Sequence, residues 1–415
     1  MSASQARVLI IGGGFGGVFT ALGLAGHAEV TMVSSEDHFL FKPLLYEYLS
    51  GEVEAWHIAP GYKELLDERT NVIRGAVSEI DFQKREVTIA GRLRKLNYDL
   101  LVLALGSVTN YWNIEGAESY ALPFRELEHA DALRQRMVDA LDRVPPDADP
   151  QDARRALTFA IVGAGASGVE LSTKMADLLR DAFQRRALKG EPRVMVLEMG
   201  DEIVPGMGDE IRSFVEEALK EVRVETHTRT AVKRVTPNSI VFEHNNEQTE
   251  VETAGVVWTA GVRVNPLVDK LDLERDRRGL ILVKPTFQTT NHENIFALGD
   301  IALYTDASPR LAGTAQLAFQ EAGVVADNIR ALLSGKPLRT KHFEELGEAV
   351  SLGTERAAVL AGNKAFGGAL ARQARFALYS QRLPTWHHRL RVGASWFFEG
   401  TSPRPLQPLG FGRQR

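Results

Sequence analysis

Val8-Leu9-Ile10-Ile11-Gly12-Gly13-Gly14-Phe15-Gly16-Gly17 is the stretch that decides the fold. Four consecutive apolar residues suit a strand buried on both faces, as in a parallel sheet. The turn that follows has the spacing Gly-x-Gly-x-x-Gly. Gly12 permits the tight turn, Gly14 lets backbone approach a pyrophosphate, and Gly17 lets the next helix pack against the strand. Phe15 and Gly16 complete the turn and open that helix, whose N-terminus offers unpaired N–H groups and a positive dipole end to phosphates. Glu29-Val30-Thr31-Met32-Val33 reads as the second strand of a βαβ unit. Val8 to Ala28 holds no Asp, Glu, Lys or Arg and is long enough for a membrane span. Its glycines have nucleotide-turn spacing, so a buried strand–turn–helix accounts for it better.

The same pattern returns about 150 residues later. Leu157 to Val162 is an apolar strand, Gly163-Ala164-Gly165-Ala166-Ser167-Gly168 the turn, then a helix through about Arg180 and the strand Arg193 to Leu197. Gly163, Gly165, Ser167 and Gly168 are the expected nucleotide contacts. Between the units, Asp142 to Arg155 is rich in Pro and Asp and reads as a surface connection. Asp99 to Ala104, Gly255 to Trp258 and Asn294 to Leu298 read as further strands, each followed by a glycine: Gly106, Gly261 and Gly299. Ligands on open α/β sheets gather at such strand ends. The expected fold is therefore α/β, with two Rossmann-like dinucleotide-binding domains, the second inserted in the first.

The two turns differ in their acidic partner. Glu198 follows the second strand of the second unit, where a carboxylate accepts both adenosine ribose hydroxyls and repels a 2′-phosphate. That favours NADH over NADPH. In the first unit Val33 is followed by Ser34 and Ser35, with Glu36 two residues late, so ribose contact falls to a serine hydroxyl or to Glu36. Asp300 ends the strand Asn294 to Leu298 after Gly299. It reads either as a ligand for a polyol such as ribitol, which favours FAD at the first turn, or as a helix N-cap. Glu170 reads either as a carboxylate near the nicotinamide or as an acid complementing the helix dipole.

Composition narrows the chemistry. The 415 residues imply two or three domains. A net charge of −5 gives no reason to expect a nucleic-acid partner. There is no cysteine, which excludes disulfides, thiolate metal sites and Cys-x-x-Cys redox chemistry. No metal site and no secretory leader are expected. Two nucleotides without a thiol suggest hydride transfer from nicotinamide to flavin, held as a near-attack pair.

Taken together, these residues resemble the two-dinucleotide-binding-domain flavoproteins, and within them the type II, non-proton-pumping NADH:quinone oxidoreductases. The segments carrying the resemblance run from Phe41-Lys42-Pro43-Leu44-Leu45-Tyr46-Glu47 through Leu103-Ala104-Leu105-Gly106-Ser107 to Gly168-Val169-Glu170-Leu171. They continue with Val257-Trp258-Thr259-Ala260-Gly261-Val262, Ala297 to Ala302, and Thr314-Ala315-Gln316-Leu317-Ala318-Phe319-Gln320. The last is similar to the family's AQxAxQ motif beside flavin and quinone. Gln316 and Gln320, four apart, share a helix face. The resemblance implies flavin contacts from Lys42, Ala104, Gly106, Ser107 and Ala315. It implies quinone contacts, or packing on the flavin edge, from the two glutamines. Lys364 resembles a lysine near flavin and quinone in some members, the alternative being a solvated surface lysine.

The expected domains are 1–118 and 266–340 for FAD, 119–265 for NADH, and 341–415 as a membrane- or dimer-associated region with a disordered tail from about 400. From Lys341 to Arg415 there are eleven Lys/Arg and five Asp/Glu, a net of +6 against −11 for the remainder. Arg372, Arg375, Arg382, Tyr379, Trp386, Arg389, Arg391, Trp396, Phe397 and Phe398 suit a lipid headgroup interface, or packing on the body or a partner copy. His387-His388 reads as interfacial or structural. The expected enzyme is a peripheral respiratory-chain oxidoreductase on the cytoplasmic side of the cell membrane, moving electrons from NADH through FAD to menaquinone or ubiquinone. A homodimer is left open. The alternatives are a reductase of a soluble acceptor and an NADH-responsive binding protein.

Overall fold

The computed structural model describes residues 5–304, 314–340, 343, 347–362 and 364–406. In chain order, the strands that place the site are β1 (Arg7–Ile11), β2 (Glu29–Ser34), β3 (Asn71–Arg74), β4 (Leu100–Leu103), β5 (Leu122–Pro123), β6 (Thr158–Val162), β7 (Arg193–Leu197), β8 (Glu225–His227), β9 (Gly255–Trp258) and β10 (Ile295–Ala297). They form two parallel sheets, in the orders β10-β4-β1-β2-β3 and β8-β7-β6-β9-β5. The sheets match position for position. Ile11 pairs with Val33 and Leu103 at the end of β1, and Val162 pairs with Leu197 and Trp258 at the end of β6.

Helix α1 (Phe15–Leu24) follows the first glycine turn. Helix α2 (Leu45–Leu49) leads from Pro43 toward the second unit, and α3 (Ala166–Arg185) follows the second turn. Helix α4 (Ala315–Leu333) packs along α1. A Cβ on Gly23 would stand 2.6 Å from the Ala326 methyl, so small residues let the two helices approach. Beyond it, β11 (Glu348–Ser351), β12 (Ala357–Ala361) and β13 (Lys364–Gly368) form an antiparallel sheet. Helices α5 (Ala369–Arg382) and α6 (Trp386–Glu399) follow.

One sequence expectation gains detail and two need correction. The connection before β6 contains a helix, Pro150–Ala156, started by the Asp149 side chain accepting from the Gln151 N–H (2.8 Å) with Pro150 at its first position. The path beyond Gly400 is packed as far as Leu406. Arg134 donates to the Pro405 carbonyl (2.6 Å), the Arg404 N–H to the Ser50 carbonyl (2.8 Å), and Leu406 is buried. Residues 407–415 lie outside the described residues. Finally, Arg372, Arg375 and Tyr379 do not lie on an outward basic face. Arg372 and Arg375 pair with Glu52 and Glu47 inside the protein, and Tyr379 is buried. The exposed residues of these helices include the large apolar Leu370, Trp386, Leu390, Phe397 and Phe398, the last two each 82% exposed, beside the exposed Arg391. Among the described residues, no helix is long and apolar enough to cross a membrane.

Candidate functional site

The site is built on the carboxyl ends of β1 and β6. Gly12 (φ +114°) turns so tightly beside β4 that a Cβ would collide with the Ala104 carbonyl, and Gly17 packs on the Gly12 carbonyl. At the second turn Gly163 lies against Ala260 and Gly168 against the Gly163 carbonyl, the same arrangement. By contrast, Gly14 and Gly165 have no heavy atom within 4 Å of where a Cβ would stand. These two residues cap α1 and α3. Neither helix has a side-chain cap or an acid in its first turn. Such uncapped termini leave donors directed at open space, which fits a pyrophosphate in each.

The first turn is closed by residues far apart in sequence. Ser107 Oγ donates to Asp300 Oδ2 (2.6 Å), and Arg125 Nη2 donates to the Ser107 carbonyl and hydroxyl (2.9 and 3.0 Å). Gly106 and Gly299 both have positive φ beside this pair. The Gly299 N–H donates to Glu321 Oε2 (2.6 Å), so Asp300 does not act as a simple helix cap but stands in a polar cluster. Burial pushes the Glu321 carboxyl up to about 7, against the lowering by the Gly299 N–H and with Asp300 adding to the rise. Ala318 lies 3.6 Å from where a Gly299 Cβ would be, and Phe319 packs edge-on to Phe19 of α1 at 4.7 Å. Ala318 and Glu321 thus seat α4 against Gly299, and Ala315, Gln316 and Gln320 lie on the first two turns of the same helix, where Thr314 Oγ accepts from the Leu317 N–H (3.1 Å). Phe15 packs on Phe39 and Phe41. Lys42 meets Glu126 at 3.0 Å.

Ser34 is corrected. Its hydroxyl is buried, 3.0 Å from the Tyr62 hydroxyl, and accepts from the Glu36 N–H. Tyr62 in turn donates to the Gly13 carbonyl (3.0 Å). Ser34 therefore braces the turn from behind. Ser35 is exposed and Glu36 half-buried, which leaves those two facing outward.

At the second turn Glu198 accepts from the Ala164 N–H and the Gly200 N–H, both at 2.7 Å, so its carboxylate sits on the glycine turn. Gly261 lies against Trp112, whose Nε1 donates to the Ala260 carbonyl (2.7 Å). Ser167 contacts Tyr46 from the first unit. Glu170 lies beyond the first turn of α3, so it is not the dipole-complementing acid. Its Oε1 accepts from the Ser351 N–H (2.8 Å) and from Arg375 (3.0 Å).

Glu170 thus belongs to a buried ion cluster. Arg375 also donates to Glu47 (2.7 Å) and to the Pro43 carbonyl (2.9 Å). Lys174, one turn beyond Glu170, meets Glu47 at 3.4 Å and pairs with Glu52, which also holds Arg372 (2.7 Å). Burial pushes Glu47 up, but Arg375 and Lys174 outweigh it and hold it at about 2. For Glu170 burial wins against Arg375, with Glu47 adding to the rise, and the carboxyl stands at about 7. Lys364 is separate from this cluster, exposed at the start of β13.

Sequence reasoning missed Tyr62, Arg125, Glu321, Arg375 and Lys174. Glu321 had a signal, since it directly follows Gln320 on the same helix. Arg125 and Tyr62 had none, because only the fold brings them to the turn.

Residues 6–322 match the family described as pyridine nucleotide-disulphide oxidoreductase. The chain is 35% identical to a demethylphylloquinone reductase from Synechocystis, over 95% of this chain and 96% of the relative. It is 31% identical to a type II NADH:quinone oxidoreductase from Mycobacterium tuberculosis, over 81% of this chain and 75% of the relative. Among solved structures, NDH2 from Plasmodium falciparum in complex with NADH superposes with a TM-score of 0.84 at 18% identity, covering 97% of this chain and all of that one.

Proposed function

The chain belongs to the type II NADH:quinone oxidoreductases, within the pyridine nucleotide-disulphide oxidoreductase family, and we propose the following division of labour among its residues. It is an FAD-dependent enzyme that oxidises NADH and passes two electrons to a quinone. FAD, when bound, supplies the chemistry: it takes a hydride from a nicotinamide and gives up electrons to a quinone.

The first glycine turn, with Gly12, Gly14, Phe15, Gly16, Gly17 and the α1 terminus, holds the FAD pyrophosphate. Asp300, fixed by Ser107 and Arg125, holds the polyol. Ala104, Gly106, Gly299 and Ala315 let the ring approach backbone, and Lys42 stands at the rim. Ser35 or Glu36 takes the adenosine ribose. The second turn, with Gly163, Gly165, Ser167 and Gly168, holds the NADH pyrophosphate, and Glu198 the ribose hydroxyls. Gly261 flanks the nicotinamide, and Glu170 stands behind it. Gln316 and Gln320 direct their amides to the quinone carbonyls, and Lys364 steadies negative charge formed on reduction. The relatives are named for demethylphylloquinone and for quinone, so a quinone such as menaquinone or ubiquinone is the acceptor carried over to this chain.

The observation that carries this reading is the convergence at Gly299. The Ser107–Asp300 polyol cluster meets there the buried Glu321 of α4, the helix whose first two turns carry Gln316 and Gln320. Trp386, Leu390, Phe397 and Phe398, exposed beside Arg391, would dip into the headgroup region and attach the enzyme to the cytoplasmic face of the membrane. The test is NADH oxidation with menaquinone and ubiquinone analogues, in the wild type, in Gln316→Ala and in a chain ending before Trp386. Quinone should accelerate turnover well beyond oxygen, Gln316→Ala should lose most of that gain, and the shortened chain should no longer float with anionic liposomes. A rate independent of quinone would favour a soluble acceptor, and a shortened chain that still floats would remove α6 as the anchor.

A further inference from the structure

The buried cluster behind the second turn joins three parts of the chain that are far apart in sequence. Glu47 and Glu52 come from α2 and its end, Glu170 and Lys174 from α3, and Arg372 and Arg375 from α5. Three carboxylates thus face three cations. Arg375 is the only member of the cluster whose guanidinium reaches Glu170, and it does so from a helix outside both nucleotide sheets. It is not free to swing. Glu47 and the Pro43 carbonyl fix its two ends, and the Tyr379 ring lies 4.7 Å from its Cζ.

We propose that Arg375 is a positioning residue: it fixes the Glu170 carboxylate and sets its charge, so the seating of helix α5 determines what the nicotinamide side of the site presents to NADH. This rests on the reading that Glu170 serves the nicotinamide. The groups facing Glu170 are Tyr46 and Glu47 from α2, Lys174 from its own helix, the Ser351 N–H from β11, and Arg375 and Tyr379 from α5. Arg375 is the largest influence favouring the charged form; Ser351 and Lys174 add less. Removing its charge leaves burial and Glu47 unopposed by their main counterweight, so Glu170 keeps its proton to higher pH.

The test is infrared titration of the holoenzyme, following the protonated-carboxyl stretch identified by its loss in Glu170→Gln. The wild-type band should titrate near pH 7. In Arg375→Met its midpoint should rise by about one to three pH units. Arg375→Lys should restore most of the wild-type value, which a merely structural role would not require. Should Arg375→Met fail to fold, Glu47→Gln moves the midpoint the other way, down, because it removes an anion that raises Glu170. An unchanged midpoint in Arg375→Met, or an upward shift in Glu47→Gln, overturns the assignment. NADH binding, measured by titration in Glu170→Gln, separates the two layers. It should weaken and lose its pH dependence near 7; unchanged binding alongside a shifted band overturns the nicotinamide role of Glu170 while leaving its link to Arg375 in place.

Discussion

The two glycine turns are built alike and finished differently. Each follows a central parallel strand, each opens an uncapped helix, and each is flanked by a strand whose end touches the first glycine. The first is then closed from behind by Tyr62 and Ser34 and from the side by Ser107, Arg125 and Asp300. The second presents Glu198 on its backbone N–H groups. Behind each lies a buried carboxyl at about 7, but Glu170 faces Arg375 and Lys174, whereas Glu321 has the Gly299 N–H and the like-charged Asp300. One turn is braced for a cofactor that stays. On the proposed assignment, the other would read its ligand with the Glu198 carboxylate, which suits a nucleotide that comes and goes.

The difference is most severely tested at the first glycines. Gly12→Ala would force a Cβ onto the Ala104 carbonyl at positive φ, a cost on the order of 3 kcal/mol or more. The purified protein should lack flavin absorbance. Gly163→Ala should keep its flavin and raise the KM for NADH at least about tenfold, a loss of about 1.4 kcal/mol in binding. Loss of both nucleotides in both variants would mean the two turns are not independent.

Next in size is Glu321→Gln. An ordinary glutamate titrates near 4.3. Because the folded value is raised to about 7, the folded protein holds this proton more tightly, and stability falls as pH rises from about 4.3 through 7. The amide can still accept from Gly299 and loses nothing to ionisation. At pH 8 the variant should be more stable than wild type by up to roughly 3 kcal/mol, and near pH 4 no more stable. Thermal melts at the two pH values decide it, and a difference that does not change with pH would contradict the buried titration.

Smaller effects are expected where ribose is read. Glu198→Ser should reduce the NADH over NADPH preference in kcat/KM by about tenfold, since a 2′-phosphate no longer meets a carboxylate. An unchanged ratio would take Glu198 out of the site. Tyr62→Phe removes the hydroxyl that joins Ser34 to Gly13 and should cost about 1 kcal/mol. Flavin should then be lost several-fold faster on dilution, while the KM for NADH stays put.

The sheets were legible because their strands are short apolar runs ending in glycine. The strand limits of β7 and β9 match residue for residue, since a parallel strand buried on both faces has a continuous apolar signature. The glycine turns were legible for the same reason: their chemistry is local. What escaped was non-local. Arg372 and Arg375 look like surface arginines at helical spacing, and nothing in the sequence shows that Glu47 and Glu52, more than 300 residues earlier, face them. Ser34 was misplaced because its hydroxyl is taken up by Tyr62, which is 28 residues away in the chain. Asp149-Pro150, by contrast, is a local helix start that composition alone concealed.

The central claim is that electrons entering at the second turn leave to a quinone held by Gln316 and Gln320 on α4. It is tested most directly by anaerobic double mixing: one equivalent of NADH first, then a quinone analogue, with flavin absorbance followed throughout. The expected result is bleaching by NADH, then full recovery with one quinone reduced per NADH, with only the recovery slowed in a Gln316→Ala, Gln320→Ala double variant. Bleaching that quinone does not reverse, or a recovery equally fast without the two glutamines, would contradict the account.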